Sequence, residues 1–218
     1  MTYLEIVNKV LLLLREPAAA TLAVGEDVVV DVVAQHVNDA KRSVENAHNW
    51  NALRYDWVVL PGPGSAKVEL AGTAGVGVNI EEAYGPDGLR LTENSSSMLR
   101  AKTLRAQSPG DFCTDFAING ISPTTRNVLV EFYPEPAQIE SIKVFGWKKQ
   151  PDLSLASDIL LVPHQPVVYL ALALAARERG EVGGQTASEI FGMASNYLSD
   201  AIAQDVALNQ YDYDWHVG

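Results

Sequence analysis

The sequence predicts an α+β protein with a helical bundle formed from N- and C-terminal helices, an inserted antiparallel β-rich domain and an extended C-terminal arm. Two observations predict this class. Apolar residues recur three or four positions apart near both ends of the chain, whereas the middle carries short segments of period two separated by turn residues. We therefore expect a helical domain of residues 1–55 and 156–208, an inserted β-rich domain of residues 56–155, and an arm of residues 209–218.

The N-terminal part of the chain predicts two helices. Thr2 and Glu5 have the spacing of a capping box, and the first helix should end near Arg15 because a Glu-Pro pair follows it. The second stretch, residues 27–50, contains valines with strand propensity. Its apolar residues nevertheless keep intervals of three and four throughout, so we predict a second helix there.

Two more helices are predicted at residues 163–179 and 186–208. The first is apolar nearly all round, which predicts burial on most of its sides, and Gly180 is suited to end it in the left-handed conformation. The second begins with Thr186 and Glu189, which again have the spacing of a capping box.

The middle of the chain predicts about seven short strands, and hence an antiparallel sandwich or an open barrel. Its glycine-rich segment 72–77 lacks the spacing of a dinucleotide-binding loop and is predicted to be a turn. The strands are expected at residues 57–60, 67–70, 89–92, 98–104, 111–118, 128–133 and 139–147.

Charge and composition exclude several classes of protein. The 218 residues carry a formal net charge of −11, which argues against a general nucleic-acid binder and against attachment to an anionic membrane. A single cysteine excludes an internal disulfide. The apolar run at residues 10–14 is too short to span a bilayer and lacks the basic flank of a signal peptide, so we expect a soluble protein.

Residues with catalytic potential are few. Glu81 and Glu82 form a carboxylate pair, but adjacent residues of a strand point to opposite faces, so a solvated loop is the simpler interpretation. Cys113 lies between two aspartates that would raise its pKa, which predicts an unreactive thiol. The four histidines have no metal-binding spacing. We expect no enzyme, no metal and no cofactor. The alternative is a small hydrolase that uses Glu81, Glu82 or Cys113.

The end of the chain has an unusual alternation of aromatic and acidic residues. In an extended conformation Tyr211, Tyr213 and Trp215 share one face, and Asp212 and Asp214 share the other. Such an arm is suited to docking on a neighbouring protein by strand addition or by insertion into a pocket. A frayed tail, or a tail folded back on its own subunit, is the alternative.

Several stretches together resemble a known family. Residues 37–45, continuing into 49–54, resemble the second-helix region of phage head-to-tail adaptor proteins, also called head-tail connectors or tail tubular protein A. The opening segment 3–17, the Pro-Asp-Leu link at 151–153 and the closing helix pair resemble the same family.

This resemblance implies a non-enzymatic virion protein at the head-tail junction, made in the host cytoplasm. It implies a homo-oligomeric ring, commonly of twelve copies, that binds the portal protein and a tail nozzle or tail tube protein. Genomic DNA would pass through its channel without sequence-specific binding, and no membrane is involved. The C-terminal arm would reach the portal. Another neck or tail-completion protein is the alternative.

Overall fold

The computed structural model describes residues 1–105, 112–180 and 187–210. Over these residues the protein is α+β, with five α-helices and seven strands. The helices are α1 (Tyr3–Leu13), α2 (Val28–Ala47), α3 (Ser96–Arg105), α4 (His164–Arg179) and α5 (Ala187–Gln210). The strands are β1 (Arg54–Val59), β2 (Lys67–Glu69), β3 (Val78–Tyr84), β4 (Thr92–Glu93), β5 (Asp115–Ile121), β6 (Val128–Tyr133) and β7 (Ile142–Lys148).

The chain divides into two compact units. We call Met1–Ala52 together with Asp152–Gly218 the helical unit, and Leu53–Pro151 the β unit. The helical unit therefore combines segments from both ends of the sequence, and the β unit is continuous.

Local signals set the ends of the helices in the helical unit. The capping box of α1 is confirmed, since the Thr2 hydroxyl accepts the Glu5 N–H at 3.3 Å and the Glu5 carboxylate accepts the Thr2 N–H at 2.9 Å. The valine-rich segment is helical, as predicted, and the Asp27 carboxylate caps its start by accepting the Val29 N–H. Gly180 ends α4 with a φ of 63°.

Helix α4 is the most buried helix and contacts α1, α2 and α5. Its burial on most sides is confirmed, because small and branched apolar residues cover nearly its whole circumference. The end of α5 differs from the prediction. The helix continues to Gln210, so Asn209 and Gln210 are helical rather than part of an arm, and Thr186 lies outside the described residues.

The segment that returns the chain from β7 to α4 is held by polar side chains of the helical unit. Asn38 binds the backbone of Leu153 in both directions, with its amide nitrogen 3.0 Å from the carbonyl oxygen and its amide oxygen 2.9 Å from the N–H nitrogen. The Asn38 amide also donates to the Tyr3 hydroxyl, which donates to the Ala34 carbonyl. Burial, together with Asp152, raises the pKa of Tyr3 to about 12.

The β unit contains two sheets that share one hydrophobic core. One sheet has the strand order β1-β7-β3 and the other β2-β6-β5-β4. The core is therefore that of a sandwich. The shared core comprises Trp57, Val59, Leu70, Ile80, Ala83, Leu91, Cys113, Phe116, Val130, Phe132, Ile142 and Val144.

The expectation of a purely antiparallel domain is wrong in one place. Strands β4 and β5 pair in parallel, with Thr92 opposite Asp115 and Glu93 opposite Phe116. Parallel pairing is possible here because α3 and the following chain separate the two strands, and a parallel pair needs such a crossover.

The predicted strand at residues 98–104 is also wrong, because this segment forms α3. The Ser95 hydroxyl accepts the Met98 N–H at 3.3 Å and so caps the helix. Leu99 is the buried residue of α3, and Lys102 donates to the Asp115 carboxylate at 2.7 Å. Serine at the start, good helix formers inside and basic residues in the last turn outweighed a weak alternation of apolar residues.

Strand β3 was not predicted, and Glu81 and Glu82 lie in it rather than in a solvated loop. A shift of register between Ile80 and Glu82 inserts a bulge opposite β7. As a result Ile80 and Ala83, three residues apart, both reach the core, which hides the period of two in the sequence. The segment 72–77 before this strand forms turns, as predicted.

The limits of other strands also differ from the prediction. Strand β1 begins at Arg54 and β7 ends at Lys148, and β4 is confined to Thr92–Glu93 because the chain turns through Gly85–Leu89. Strand β5 begins at Asp115, so Cys113 precedes it.

Candidate interaction surfaces

The outward face of the three-stranded sheet forms the first candidate surface, which we call the outer sheet face. Along the central strand β7, Lys143, Phe145 and Trp147 alternate with the inward Ile142 and Val144. The face and the following turn enclose a depression of about 1100 Å³. Its lining includes Arg54, Asp56, Glu81, Glu82, Tyr84, Pro86, Lys143 and Phe145.

Phe145 lies at the centre of this face between two carboxylates. Asp56 of β1 and Glu82 of β3 are its cross-strand partners. The Tyr84 ring contacts the Phe145 ring edge-on, with 5.7 Å between centroids, and the Tyr84 hydroxyl donates to Glu82 at 2.6 Å. This hydrogen bond to a carboxylate raises the pKa of Tyr84. Arg90 holds the other oxygen of Glu82 at 3.1 Å.

The second aromatic residue of this strand, Trp147, lies under a cation. The Arg54 guanidinium is 5.6 Å from the centre of the Trp147 ring and 3.4 Å from the Glu81 carboxylate. The Trp147 ring nitrogen is buried and has no hydrogen-bond acceptor within the described parts of the chain. Gly146 precedes it at the bulge, where a Cβ atom would lie 2.2 Å from the Asn79 carbonyl oxygen.

These arrangements favour binding over acid–base chemistry. The carboxylates of Glu81 and Glu82 are each held by a different arginine, and the alternative catalytic residue Cys113 lies in the core. An aromatic centre with a charged rim is instead typical of a surface that receives another protein. Lys143 makes no ion pair with any described residue, so its charge is available to a partner.

Cys113 has the environment of an inert thiol. Its N–H donates to the Glu140 carboxylate at 3.2 Å, and its sulfur lies 3.4 Å from the Pro134 carbonyl oxygen. Burial, with the Glu140 charge as the second cause, raises the pKa of Cys113 to about 12. The sequence predicted the direction of this shift, but attributed it to the flanking aspartates instead of burial and the distant Glu140.

Two of the described histidines pair with carboxylates. His36 is 2.7 Å from the Glu178 carboxylate and His48 is 3.0 Å from the Asp205 carboxylate. Across residues 1–105, 112–180 and 187–210, no group of three or more His, Cys, Asp or Glu side chains could hold a metal ion. Over the same residues, no helix has both the length and the apolar character needed to cross a membrane.

The predicted docking residues of the arm lie beyond the described part of the chain. These residues are Tyr211, Asp212, Tyr213, Asp214 and Trp215.

The structure does show the end of α5, which directly precedes residues 211–218 in the sequence. The last three turns of α5 and the start of α4 form a groove of about 380 Å³. The stacked rings of Tyr169 and Tyr197, 4.7 Å apart, lie between these two helices.

Comparison with protein families gives a match over nearly the whole chain. The family model described as SU10 adaptor protein matches residues 1–214, which include both units. The chain belongs to the SU10 adaptor protein family. It is thus a phage head-to-tail adaptor and a structural protein of the virion. No curated protein matches the chain.

Sequence reasoning missed the outer sheet face of this adaptor because it missed β3. Without β3, Tyr84 and Glu82 had no known position relative to Phe145. One signal was present, since Gly146 interrupts an otherwise bulky strand and a glycine inside a strand often marks a bulge.

Proposed function

We propose that this adaptor assembles as a ring between the portal protein and the tail, and that the ring extends the DNA channel. The observation that carries the proposal is the family match over residues 1–214. The setting of Glu81, Glu82 and Cys113 supports a structural function, because arginines hold both glutamates and burial raises the pKa of the Cys113 thiol. We also propose that the inserted domain comprises residues 56–155, which are the limits expected from the sequence.

In the proposed ring, the helices of the helical unit form the bundle that packs between copies, and residues 211–218 form the arm. The arm binds the portal through Tyr211, Tyr213 and Trp215, with Asp212 and Asp214 on its other face. Three aromatic rings on one face supply a large apolar contact with little loss of side-chain freedom.

We further propose that the outer sheet face of the β unit contacts the tail component. Phe145 and Tyr84 supply an apolar centre, and the unpaired ammonium of Lys143 can bind a carboxylate of the partner. The β unit contains ten Lys and Arg and eleven Asp and Glu, so its formal net charge is close to zero.

The helical unit has six Lys and Arg against sixteen Asp and Glu, a formal net charge of −10. We propose that this excess lies along the channel and repels the phosphates of the passing genome, which then slides without binding. A ring structure in which Lys and Arg predominate along the lumen would contradict this part of the proposal.

Electron microscopy of the adaptor mixed with its cognate portal tests the proposal. We expect the portal ring to gain an added layer, with each component imaged alone as the control. Deleting residues 211–218 should weaken that layer while leaving α5 intact, because the helix ends before the deletion. A portal that stays bare would overturn the proposal and would favour a tail-completion protein.

A matched pair of variants tests the tail contact separately. Phe145→Ala removes the centre of the outer sheet face, and Phe112→Ala removes an exposed aromatic side chain elsewhere in the β unit. We expect the first variant to form the portal layer and to bind the tail component weakly, and the second to bind both. Equal tail binding by the two variants would exclude this face.

A further inference from the structure

One side of α3 is a three-turn surface exposed to solvent. Leu99, on the packed side, is completely buried, whereas Leu104 on the opposite side is 88% exposed. The helix carries three basic residues and no acidic residue. We call the solvent side the α3 outer face, and it comprises Ser97, Met98, Arg100, Ala101, Leu104 and Arg105.

The two arginines of this face differ from Lys102 in their ion pairing within the described residues. Lys102 is neutralised by Asp115 at 2.7 Å, but Arg100 and Arg105 make no ion pair with any residue in the described ranges. Two free guanidinium groups are few for DNA, because phosphate-driven binding usually needs about six to ten phosphate contacts. Arginines around an exposed leucine and methionine are instead a common composition of protein interfaces.

A groove in the helical unit has the complementary composition. It lies between the start of α2 and the end of α4, has a volume of about 270 Å³, and is mainly apolar. Val28 at its edge is 74% exposed, and the Glu178 side chain is more than half exposed. We call it the α2/α4 groove, and it is lined by Val28, Val29, Val32, Val33, Ala175 and Glu178.

The charge near this groove is negative. Asp31 lies on the first turn of α2, and Glu26 and Asp27 directly precede the helix. With Glu178 these residues place four carboxylates around the start of α2 and the end of α4. Arg177 is a basic neighbour of Glu178 in sequence, and His36 lies 2.7 Å from the Glu178 carboxylate. An apolar groove with acidic surroundings is suited to bind an apolar helix face flanked by arginines.

We propose that the α3 outer face of one copy docks in the α2/α4 groove of a second copy, with Leu104 against the valines and the arginines facing Glu178 and Glu26. The two surfaces differ, so the contact is heterologous, which is the type of contact that joins the copies of a cyclic ring. This inference rests on the proposed ring and names one of its contacts. A three-turn helix covers less than the roughly 800 Å² per partner of a standard interface, so α3 forms one part of the contact.

A cysteine trap tests the contact directly. One protein carries Leu104→Cys, the other carries Val28→Cys, and the mixture is mildly oxidised both free in solution and on the portal ring. Both positions are exposed, so neither change should affect folding. The native Cys113 is buried and should not form a disulfide. We expect the disulfide-linked heterodimer to exceed the controls by about tenfold or more, because docking raises the local thiol concentration.

The controls distinguish disulfides that form at a specific contact from disulfides that form by random encounters between copies. Ile139→Cys exposes a thiol elsewhere in the β unit and is mixed with Val28→Cys in the same way, and the wild-type chain reports any reaction of Cys113. Arg100→Glu and Arg105→Glu, added to Leu104→Cys, should reduce the yield several-fold. Glu26→Arg and Glu178→Arg, added to Val28→Cys, should restore it.

A yield no higher than that of the Ile139 control, in solution and on the portal, would overturn the inference. So would a yield that does not respond to the charge reversals. If the portal gains its layer without this disulfide, only the α3 contact is wrong. If the portal stays bare and the disulfide still forms, the copies associate as inferred and the proposed portal function is wrong.

Discussion

At the scale of single residues, the ion pair of Lys41 and Glu45 shows how α2 tolerates charge in its buried face. The Nζ and Oε1 atoms are 3.2 Å apart, and both side chains are almost completely inaccessible. Glu45→Gln removes the carboxylate that pairs with this buried ammonium, and we expect the free energy of unfolding to fall by roughly 3 kcal/mol. Urea denaturation measures this change.

The matched control for this variant is Asp39→Asn on the same helix. Asp39 pairs with Arg42 at 2.9 Å, but both side chains are about half exposed, so the loss should stay below about 1 kcal/mol. Equal losses for the two variants would contradict the difference that burial is expected to make.

Substitution of two glycines by alanine should change the free energy of unfolding in opposite directions. Gly146→Ala would place a Cβ atom 2.2 Å from the Asn79 backbone, so β3 must move and we expect a loss of about 1–3 kcal/mol or more. Gly192 lies inside α5 with open space around it, and Gly192→Ala should gain about 0.5–1 kcal/mol from helix propensity. Thermal unfolding of both variants measures whether each change lowers or raises the stability. A Gly146→Ala variant more stable than wild type would disprove the close approach of Gly146 to the Asn79 backbone.

At the scale of elements, α3 depends on one apolar anchor. Leu99→Ala removes its buried side chain, which usually costs about 2–5 kcal/mol, and we expect α3 to detach from the sheet before the rest of the β unit unfolds. Hydrogen exchange of residues 96–105 measures this opening. Leu104→Ala, at the exposed position of the same helix, should leave the exchange unchanged.

The segment that leads into α4 is held by an aspartate, which makes its stability depend on pH. The Asp158 carboxylate accepts the N–H groups of Ser154 and Leu155, both at 2.8 Å, and these bonds lower its pKa. A pKa lowered by folding means that the contribution is complete above the ordinary aspartate pKa and is lost as the pH falls through the folded value. Wild type should therefore lose stability on acidification more steeply than Asp158→Asn does.

Urea unfolding across the acid range gives both curves. Asp200→Asn is the control, because Asp200 is exposed on α5 and makes no hydrogen bond with the described residues. Its curve should run parallel to that of wild type. Identical slopes for wild type and Asp158→Asn would refute the stabilising contribution of this carboxylate.

At the scale of the whole molecule, the charge is divided unevenly, since the helical unit holds −10 of the net −11. Self-repulsion should therefore destabilise the helical unit and leave the β unit nearly unaffected. Raising the salt from about 0.01 M to about 0.1 M shortens the Debye length from about 30 Å to about 10 Å. We expect slower hydrogen exchange in the helical unit and little change in the β unit.

Local patterns allowed part of this protein to be predicted. The capping box of Thr2 and Glu5, the helix period of the valine-rich α2 and the glycine end of α4 were read correctly from neighbouring residues. The helix at residues 96–105 was missed because a weak alternation of apolar residues was given more weight than its serine start, its helix formers and its basic last turn. Strand β3 was missed because its bulge disrupts the alternation on which the prediction depended.

The sequence by itself determined the four helices of the helical unit, the charge and the family resemblance, because periodicity, capping and residue counts are properties of contiguous residues. Only the tertiary structure decided which strands pair, that β4 and β5 run in parallel, and that the start of α2 and the end of α4 form one groove. Those features depend on contacts between residues far apart in the chain. Both surfaces of the inferred contact between copies, the α3 outer face and the α2/α4 groove, belong to this second group.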